Sequence, residues 1–174
     1  MKKLLFFFVA LLSLVAATPA ANASSPRAFG AEQRKKQSIM ELPPFERAVL
    51  IIKKFETLHK PKHWPTICYG HVVQRGEHFT RRQYSEREAD ALLRYDYAKF
   101  CDIYKDYGKD KYILAALAYN IGPSAVNKSS VIKKLKAGDR NIFKAYASHC
   151  RYKGKWHSGL HKRRLTELAI LYIP

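Results

Sequence analysis

Apolar residues recur at helical intervals after the pair Pro43-Pro44: Phe45, Val49, Ile52 and Phe55 share one side, while Lys53 and Lys54 lie off it. The spacing predicts an amphipathic helix running to about Leu58, which Pro61 and Pro65 forbid from continuing. Residues 66–73 mix β-branched and aromatic side chains around Gly70, the composition of a short strand or hairpin. Ser85 with Glu88 three positions on is a capping-box signature, and Ala89, Leu92, Leu93, Tyr97, Phe100 and Tyr104 continue it as an apolar stripe, predicting a long helix. Further helical segments follow at about 111–120, 130–137, 139–149 and 160–173, punctuated by Gly122, Gly138 and Gly154. One small β element near the amino end and a mostly helical remainder make the expected class α+β.

The amino end has a different pattern. Lys2 and Lys3 precede a run from Leu4 to Ala17 that carries no charge, and Ala21-Asn22-Ala23 places small residues where a signal peptidase reads them. Residues 1–23 are therefore expected to be a secretory signal peptide, cleaved after Ala23. The run is shorter than the ~20 residues that span a bilayer as a helix, so a retained anchor is the secondary reading and no stable membrane span is expected after processing. Residues 24–40 are polar, small and basic and read as a flexible leader, and residues 41–174 as the folded domain.

Charge changes the picture next. The 174 residues hold 32 Lys and Arg against 14 Asp and Glu, a formal charge of +18, which becomes +16 when Lys2 and Lys3 leave with the signal. With 47% hydrophobic and 13% aromatic residues there is apolar material for one packed core, which excludes a disordered polycation. The partner must be anionic, and export argues against nucleic acid in favour of a cell wall or membrane. Cys68, Cys101 and Cys150 are an odd count, so one thiol at least stays unpaired. A Cys101–Cys150 bridge would close a loop of about 50 residues and contribute around 4 kcal/mol in the chain-entropy model. Three buried thiols are the equal alternative.

Glu56 is the first candidate for chemistry. It sits at the end of the first predicted helix, where the apolar stripe meets the proline-rich turn, and shielding by Phe55 and neighbouring aromatics would raise its pKa toward that of a general acid. Taken by position alone it is an ordinary surface residue beside Lys53 and Lys54. The residues ten positions on decide between these. Thr66-Ile67-Cys68-Tyr69-Gly70-His71 resembles the Thr-Ile-Gly-Tyr-Gly-His strand that comes after a helix-terminal Phe-Glu in the phage-type lysozymes of glycoside hydrolase family 24. Glu88-Ala-Asp-Ala-Leu-Leu-Arg-Tyr-Asp96 is similar to the family's long lobe-connecting helix, and Leu117-Ala-Tyr-Asn-Ile-Gly122 to its central buried helix and turn. Ser130-Val-Ile-Lys-Lys-Leu-Lys-Ala-Gly-Asp139 and Gly159-Leu-His-Lys-Arg-Arg-Leu-Thr-Glu167 match two further blocks in the right order.

The resemblance implies a lysozyme-like fold, with a small β-containing N-terminal lobe and a mostly helical C-terminal lobe joined by a long helix. It implies a monomer, needing no cofactor and no metal, that cleaves the β-1,4 linkage between N-acetylmuramic acid and N-acetylglucosamine in peptidoglycan, in the periplasm or outside the cell. Carried over by position, Glu56 becomes the general acid and Thr66 the threonine that places the attacking water. Tyr69, Gly70, Asn120 and Gly122 match substrate-cleft positions, His71 and Asp96 a structural ion pair, and either Arg163 or Arg164 approaches Glu56.

One departure bears on mechanism. The family places an Asp about nine residues after its Glu and its threonine about fifteen after, the Asp serving as the second carboxylate that an inverting hydrolase uses to activate water. Here Thr66 follows Glu56 by ten, position 65 is proline, and no Asp or Glu occurs between Glu56 and Glu77. Three readings stand open. An imidazole, His63 in preference to His59, serves as base with Thr66 orienting the water. Alternatively Glu56 works alone, as in lytic transglycosylases, where the muramic 6-hydroxyl attacks and leaves 1,6-anhydro ends. In the third the chain is a catalytically inactive cationic binder of wall or membrane.

Weaker signals have plainer explanations. Cys68 and His71 suggest a thiol nucleophile, but residues three apart on a strand point to opposite faces. His59 with His63, and His157 with His161, have the four-residue spacing of helical metal ligands, yet Pro61 and Gly159 interrupt them. Lys133, Lys134 and Lys136 read as a solvated helix face.

Overall fold

In the computed structural model the described residues are 38–174; the expected signal peptide and all of the expected leader except residues 38–40 lie outside them. Those three belong to a 3-10 turn, Ile39–Glu41, capped by Ser38. Helix α1, Pro44–Glu56, then buries Ala48, Val49, Ile51 and Ile52. It stops two residues short of the expected end because Thr57 takes a φ of +56°, a left-handed conformation that breaks the helical path. Glu56 is thus the last helical residue.

A 3-10 turn, Pro61–His63, leads into the expected hairpin. Strands β1, Thr66–Ile67, and β2, His71–Val72, pair antiparallel with Thr66 opposite Val72 and Ile67 opposite His71. The three-residue turn between them needs left-handed backbone at Cys68 (φ +52°) and Gly70 (φ +98°). Helix α2, Glu86–Ile103, opens on the capping box: Glu88 N–H donates to Ser85 Oγ (3.3 Å), and Ser85 N–H to Glu88 Oε2 (2.9 Å). Its stripe buries Ala89, Leu93, Tyr97 and Cys101.

Helix α3, Lys111–Ile121, buries every residue from Ile113 to Ala118, as a helix apolar on all sides must. It forms the centre of the core, against α1 and α2. Short helices α4, Pro123–Asn127, α5, Ser130–Lys136, and α6, Phe143–Ala147, follow, and the closing helix α7, Ser158–Leu171, returns to α1, α3 and α6. The architecture is α+β, with the β hairpin toward the amino end and helices making up most of the rest.

Three features differ from the sequence expectation. Helix α4 exists because Gly122 (φ +82°) ends α3 and Pro123 starts a new helix at once. Helix α6 is half the expected length because Asp139 Oδ1 accepts the Asn141 N–H, forming a turn where the helix was expected to begin. A second hairpin, β3 Arg151–Tyr152 and β4 Lys155–Trp156, turns through Lys153 and Gly154, both at positive φ as a tight two-residue hairpin requires. All three cysteines are buried free thiols, and burial pushes Cys68 and Cys101 up to about 11.

Two charged groupings hold the helices. On the α1–α2 face Arg94 clasps Glu46 through two hydrogen bonds (2.6 and 2.9 Å) and reaches Asp90 (2.6 Å), while Lys53 bridges Glu86 and Asp90. In the core, Glu167 is fully buried and accepts from Arg163 Nε (2.9 Å), Arg164 Nη2 (2.9 Å) and the Tyr146 hydroxyl (2.8 Å).

Each grouping makes a prediction. The hydrogen bond from Arg94 lowers the Glu46 pKa, that from Lys53 lowers Glu86, and that from Arg82 brings Glu88 to about 2. Burial alone would raise Asp90, but hydrogen bonds from Arg94 and Lys53 outweigh it. A depressed carboxylate pKa gives stability that is present above the unfolded value and is lost as pH falls through the folded one. The melting temperature by circular dichroism is therefore expected to hold from pH 7 to 5 and to fall steadily as pH drops from 4.5 toward 2. Glu167→Gln, which leaves two buried guanidinium groups without their shared anion, is expected to cost about 3–5 kcal/mol in urea unfolding.

Candidate active site

The carboxyl of Glu56 is held from two sides. Arg163, only 3% exposed, reaches across from α7 and donates from Nη1 to Glu56 Oε1 at 2.5 Å. The other oxygen, Oε2, lies over the hairpin turn, where a Cβ built on Gly70 would stand 3.3 Å from it. A larger residue at 70 would crowd the carboxyl as well as strain a φ of +98°, so glycine serves here as both turn and clearance. The Glu56 side chain remains 20% exposed, open enough to meet a ligand. Its immediate neighbour is a cation rather than the aromatic shield expected from sequence; Phe55 instead lies beneath Arg163, 5.9 Å from the guanidinium.

Of the two candidate arginines, Arg163 takes Glu56, and Arg164 turns inward to Glu167, with its guanidinium 5.8 Å from the Tyr146 ring. Adjacent residues on a helix point about 100° apart, so one helix supplies both an active-site contact and a core contact.

The other carried-over positions differ in burial and in partners. Thr66 is half-buried in β1, opposite Val72. Tyr69 is buried, and its hydroxyl donates to Glu86 Oε2 at 2.5 Å, away from the Glu56 carboxyl; burial pushes this phenol up to about 12. Its carbonyl accepts from the Tyr119 hydroxyl at 2.9 Å, which ties the hairpin turn to α3. Burial, then the negative charges of Asp96 and Glu56, raise the Tyr119 pKa. Asn120 is half-buried at the end of α3, and Gly122 faces open space.

His71 and Asp96 form the expected pair, Nδ1 to Oδ2 at 2.6 Å, joining β2 to α2. Sequence reading missed the third member: Glu77 Oε2 meets His71 Nε2 at 2.9 Å and also accepts the Gln74 N–H at 2.7 Å. Both ring nitrogens thus face carboxylates, and the loop after β2 is clamped along with the strand. A cavity of about 370 Å³ opens beside this clamp, lined by Gly70, Phe100 and Tyr119 among others.

The loop between α1 and β1 brings together two imidazoles. His59 Nδ1 and His63 Nδ1 are 3.2 Å apart with ring planes at 86°. The Lys60 N–H donates to His63 Nδ1 at 3.1 Å, and the His59 N–H donates to the Cys68 carbonyl at 2.8 Å. Burial and the neighbouring His63 lower the His59 pKa, against an opposing pull from Glu56. Among the described residues no group of three or more His, Cys, Asp or Glu side chains is placed to hold a metal ion. His157 is otherwise engaged, capping α7 by accepting the Leu160 N–H (3.3 Å). Cys68 and His71 form no nucleophile pair: the thiol is buried, and both imidazole nitrogens are taken by carboxylates.

The sequence model of the family described as phage lysozyme matches residues 53–167, which span Glu56, the hairpin, α2, α3 and Arg163. No curated protein matches the chain. Among solved structures the fold is similar to the endolysin from Escherichia coli O157:H7 phage FAHEc1, with 26% identity, a TM-score of 0.59, and 71% of this chain and 89% of that one covered. It is also similar in fold to the muramidase domain of SpmX from Asticaccaulis excentricus, with 23% identity, a TM-score of 0.58 and 73% and 95% coverage. Matched by the family sequence model over more than half its length and sharing the endolysin fold, the chain belongs to the phage lysozyme family.

Proposed function

We propose that this protein hydrolyses the β-1,4 linkage between N-acetylmuramic acid and N-acetylglucosamine in peptidoglycan, with Glu56 as the general acid. The observation that carries this reading is the fixed Glu56 carboxyl: Oε1 is committed to buried Arg163, so the free oxygen over Gly70 is the one able to carry a proton outward. In the reaction that proton passes to the glycosidic oxygen as its bond to the anomeric carbon breaks, and water attacks the opposite face of the sugar. Thr66 and the His59–His63 loop lie on the water side. Gly70, Asn120 and Gly122 line the path of the glycan, the two glycines by letting the backbone come close, while buried Tyr69 supports the turn from behind. Residues 41–174 act as one catalytic unit, exported by the 1–23 signal and drawn as a monomer to the anionic wall by its charge. Among the described residues no helix is long and apolar enough to cross a membrane.

The lack of any carboxylate between Glu56 and Glu77 favours one second reading, in which Glu56 acts alone as a lytic transglycosylase. Both readings place the proton on Glu56. Glu56→Gln alters the net charge by a single unit, so a lysis that depends only on cationic binding survives it. Release of soluble fragments from purified peptidoglycan is expected to fall by about 10²–10⁴-fold in this variant. Undiminished release would remove catalysis as the basis of activity.

A further inference from the structure

We infer that His59 is the base that takes the proton of the attacking water, and that His63 is the positioning residue that sets its tautomer. This rests on the assignment of Glu56 as the acid.

Hydrogen-bond bookkeeping in the 57–65 loop leads there. A backbone N–H can only donate, so the Lys60 N–H directed at His63 Nδ1 (3.1 Å) requires a lone pair on that nitrogen. When His63 is neutral its proton is then on Nε2. His59 Nδ1 faces the same atom at 3.2 Å, and two lone pairs held at that distance would repel. His59 therefore donates from Nδ1, and the single lone pair of His63 Nδ1 is shared between the two donors. A neutral imidazole protonated on Nδ1 has its remaining lone pair on Nε2. The sequence preference for His63 is thereby reversed: its Nδ1 is occupied and its Nε2 protonated, whereas His59 presents a free basic nitrogen.

Position agrees with protonation. The His59 backbone is tied to the Cys68 carbonyl (2.8 Å), two residues before the glycine that lies against Glu56 Oε2, and the ring is half-buried while His63 is exposed. The charged and titratable groups around it are Glu56 from α1, His63 and Lys60 from its own loop, and Arg81, whose Nε donates to the Pro61 carbonyl at 3.1 Å. Burial and His63 together favour the neutral ring against the pull of Glu56, which suits a base at neutral pH.

The proton balance closes. Water oxygen bonds to the anomeric carbon as the glycosidic bond breaks; the water proton goes to His59 Nε2 and the Glu56 proton to the leaving oxygen. The resulting imidazolium keeps its Nδ1–H on His63. It then releases one proton to solvent, and Glu56 takes one up, which resets the site.

The test is the initial rate of reducing-end release from purified peptidoglycan between pH 4 and 9, for the wild type, His59→Ala, His63→Ala, His63→Gln and Glu56→Gln. Thermal melts confirm that each variant is folded. His59→Ala is expected to lower kcat about a hundredfold with little change in KM, to remove the acid limb of the pH profile, and to recover part of the rate in added imidazole. His63→Ala is expected to lower the rate about tenfold and displace the acid limb, and His63→Gln, whose amide oxygen can accept the same N–H, to regain most of it. A folded His59→Ala protein with wild-type rate and profile overturns the inference, as does a loss confined to His63→Ala. Either result, alongside an inactive Glu56→Gln, leaves the acid assignment intact; an active Glu56→Gln removes both.

Discussion

Arg163 is a cation with almost no access to water, and the site takes its shape from that constraint. An unpaired buried guanidinium would cost several kcal/mol, so Arg163 requires carboxyl acceptors on both sides. Glu167 supplies one from within α7, and Glu56, 107 residues earlier in the chain, supplies the other. Arg164 then balances Glu167, and the row of four charges sums to zero when Glu56 is ionised; when Glu56 carries its proton on Oε2, Oε1 still accepts from Arg163. Because the ends of this row belong to different helices, the electrostatics that make burial tolerable also fix α1 against α7. The Glu56 carboxyl is consequently positioned by the core itself and needs no flexible loop to place it.

The hairpin supplies the opposite wall through a second set of tethers. His71 between Asp96 and Glu77 pins β2 and the loop after it to α2, and the Tyr119 hydroxyl pins the turn to α3 through the Tyr69 carbonyl. Gly70 is thereby pressed against Glu56 Oε2. The short loop between α1 and β1 hangs from the same turn through the His59–Cys68 backbone hydrogen bond, so its two imidazoles share the rigid frame that holds the Glu56 carboxyl. No Asp or Glu lies between Glu56 and Glu77, and the loop carries two imidazoles, His59 and His63.

Much of this was legible in the residues. The stripe from Phe45 to Phe55, the Ser85–Glu88 capping box and the glycine-centred hairpin predicted α1, α2 and β1–β2, because each is a local pattern with a local cause. The second hairpin was not foreseen: its strands are two residues long, too short for the alternation of charged and aromatic positions in Arg-Tyr-Lys-Gly-Lys-Trp to stand out. Helix α6 was overestimated because a single hydrogen bond from the Asn141 N–H to the Asp139 side chain decides where it starts. The same division holds at the site. Glu56 and Gly70 stood out by motif, whereas the choice of Arg163 over Arg164 depends on how α7 is rotated against α1. Glu77 gave no signal because its partner is set by the path of a loop. The sequence favoured His63 over His59, and it could not show the Lys60 N–H directed at His63 Nδ1, on which the opposite choice rests.

Attack by water directly on the anomeric carbon, with no carboxylate between Glu56 and Glu77 to form a glycosyl intermediate, is the feature on which the proposed reaction depends most. Proton NMR of the sugar ends formed in the first moments of peptidoglycan cleavage measures it directly. The account predicts free reducing N-acetylmuramic ends in the α configuration, inverted from the β linkage. Ends closed as 1,6-anhydro rings, or first formed as the β anomer, would contradict it.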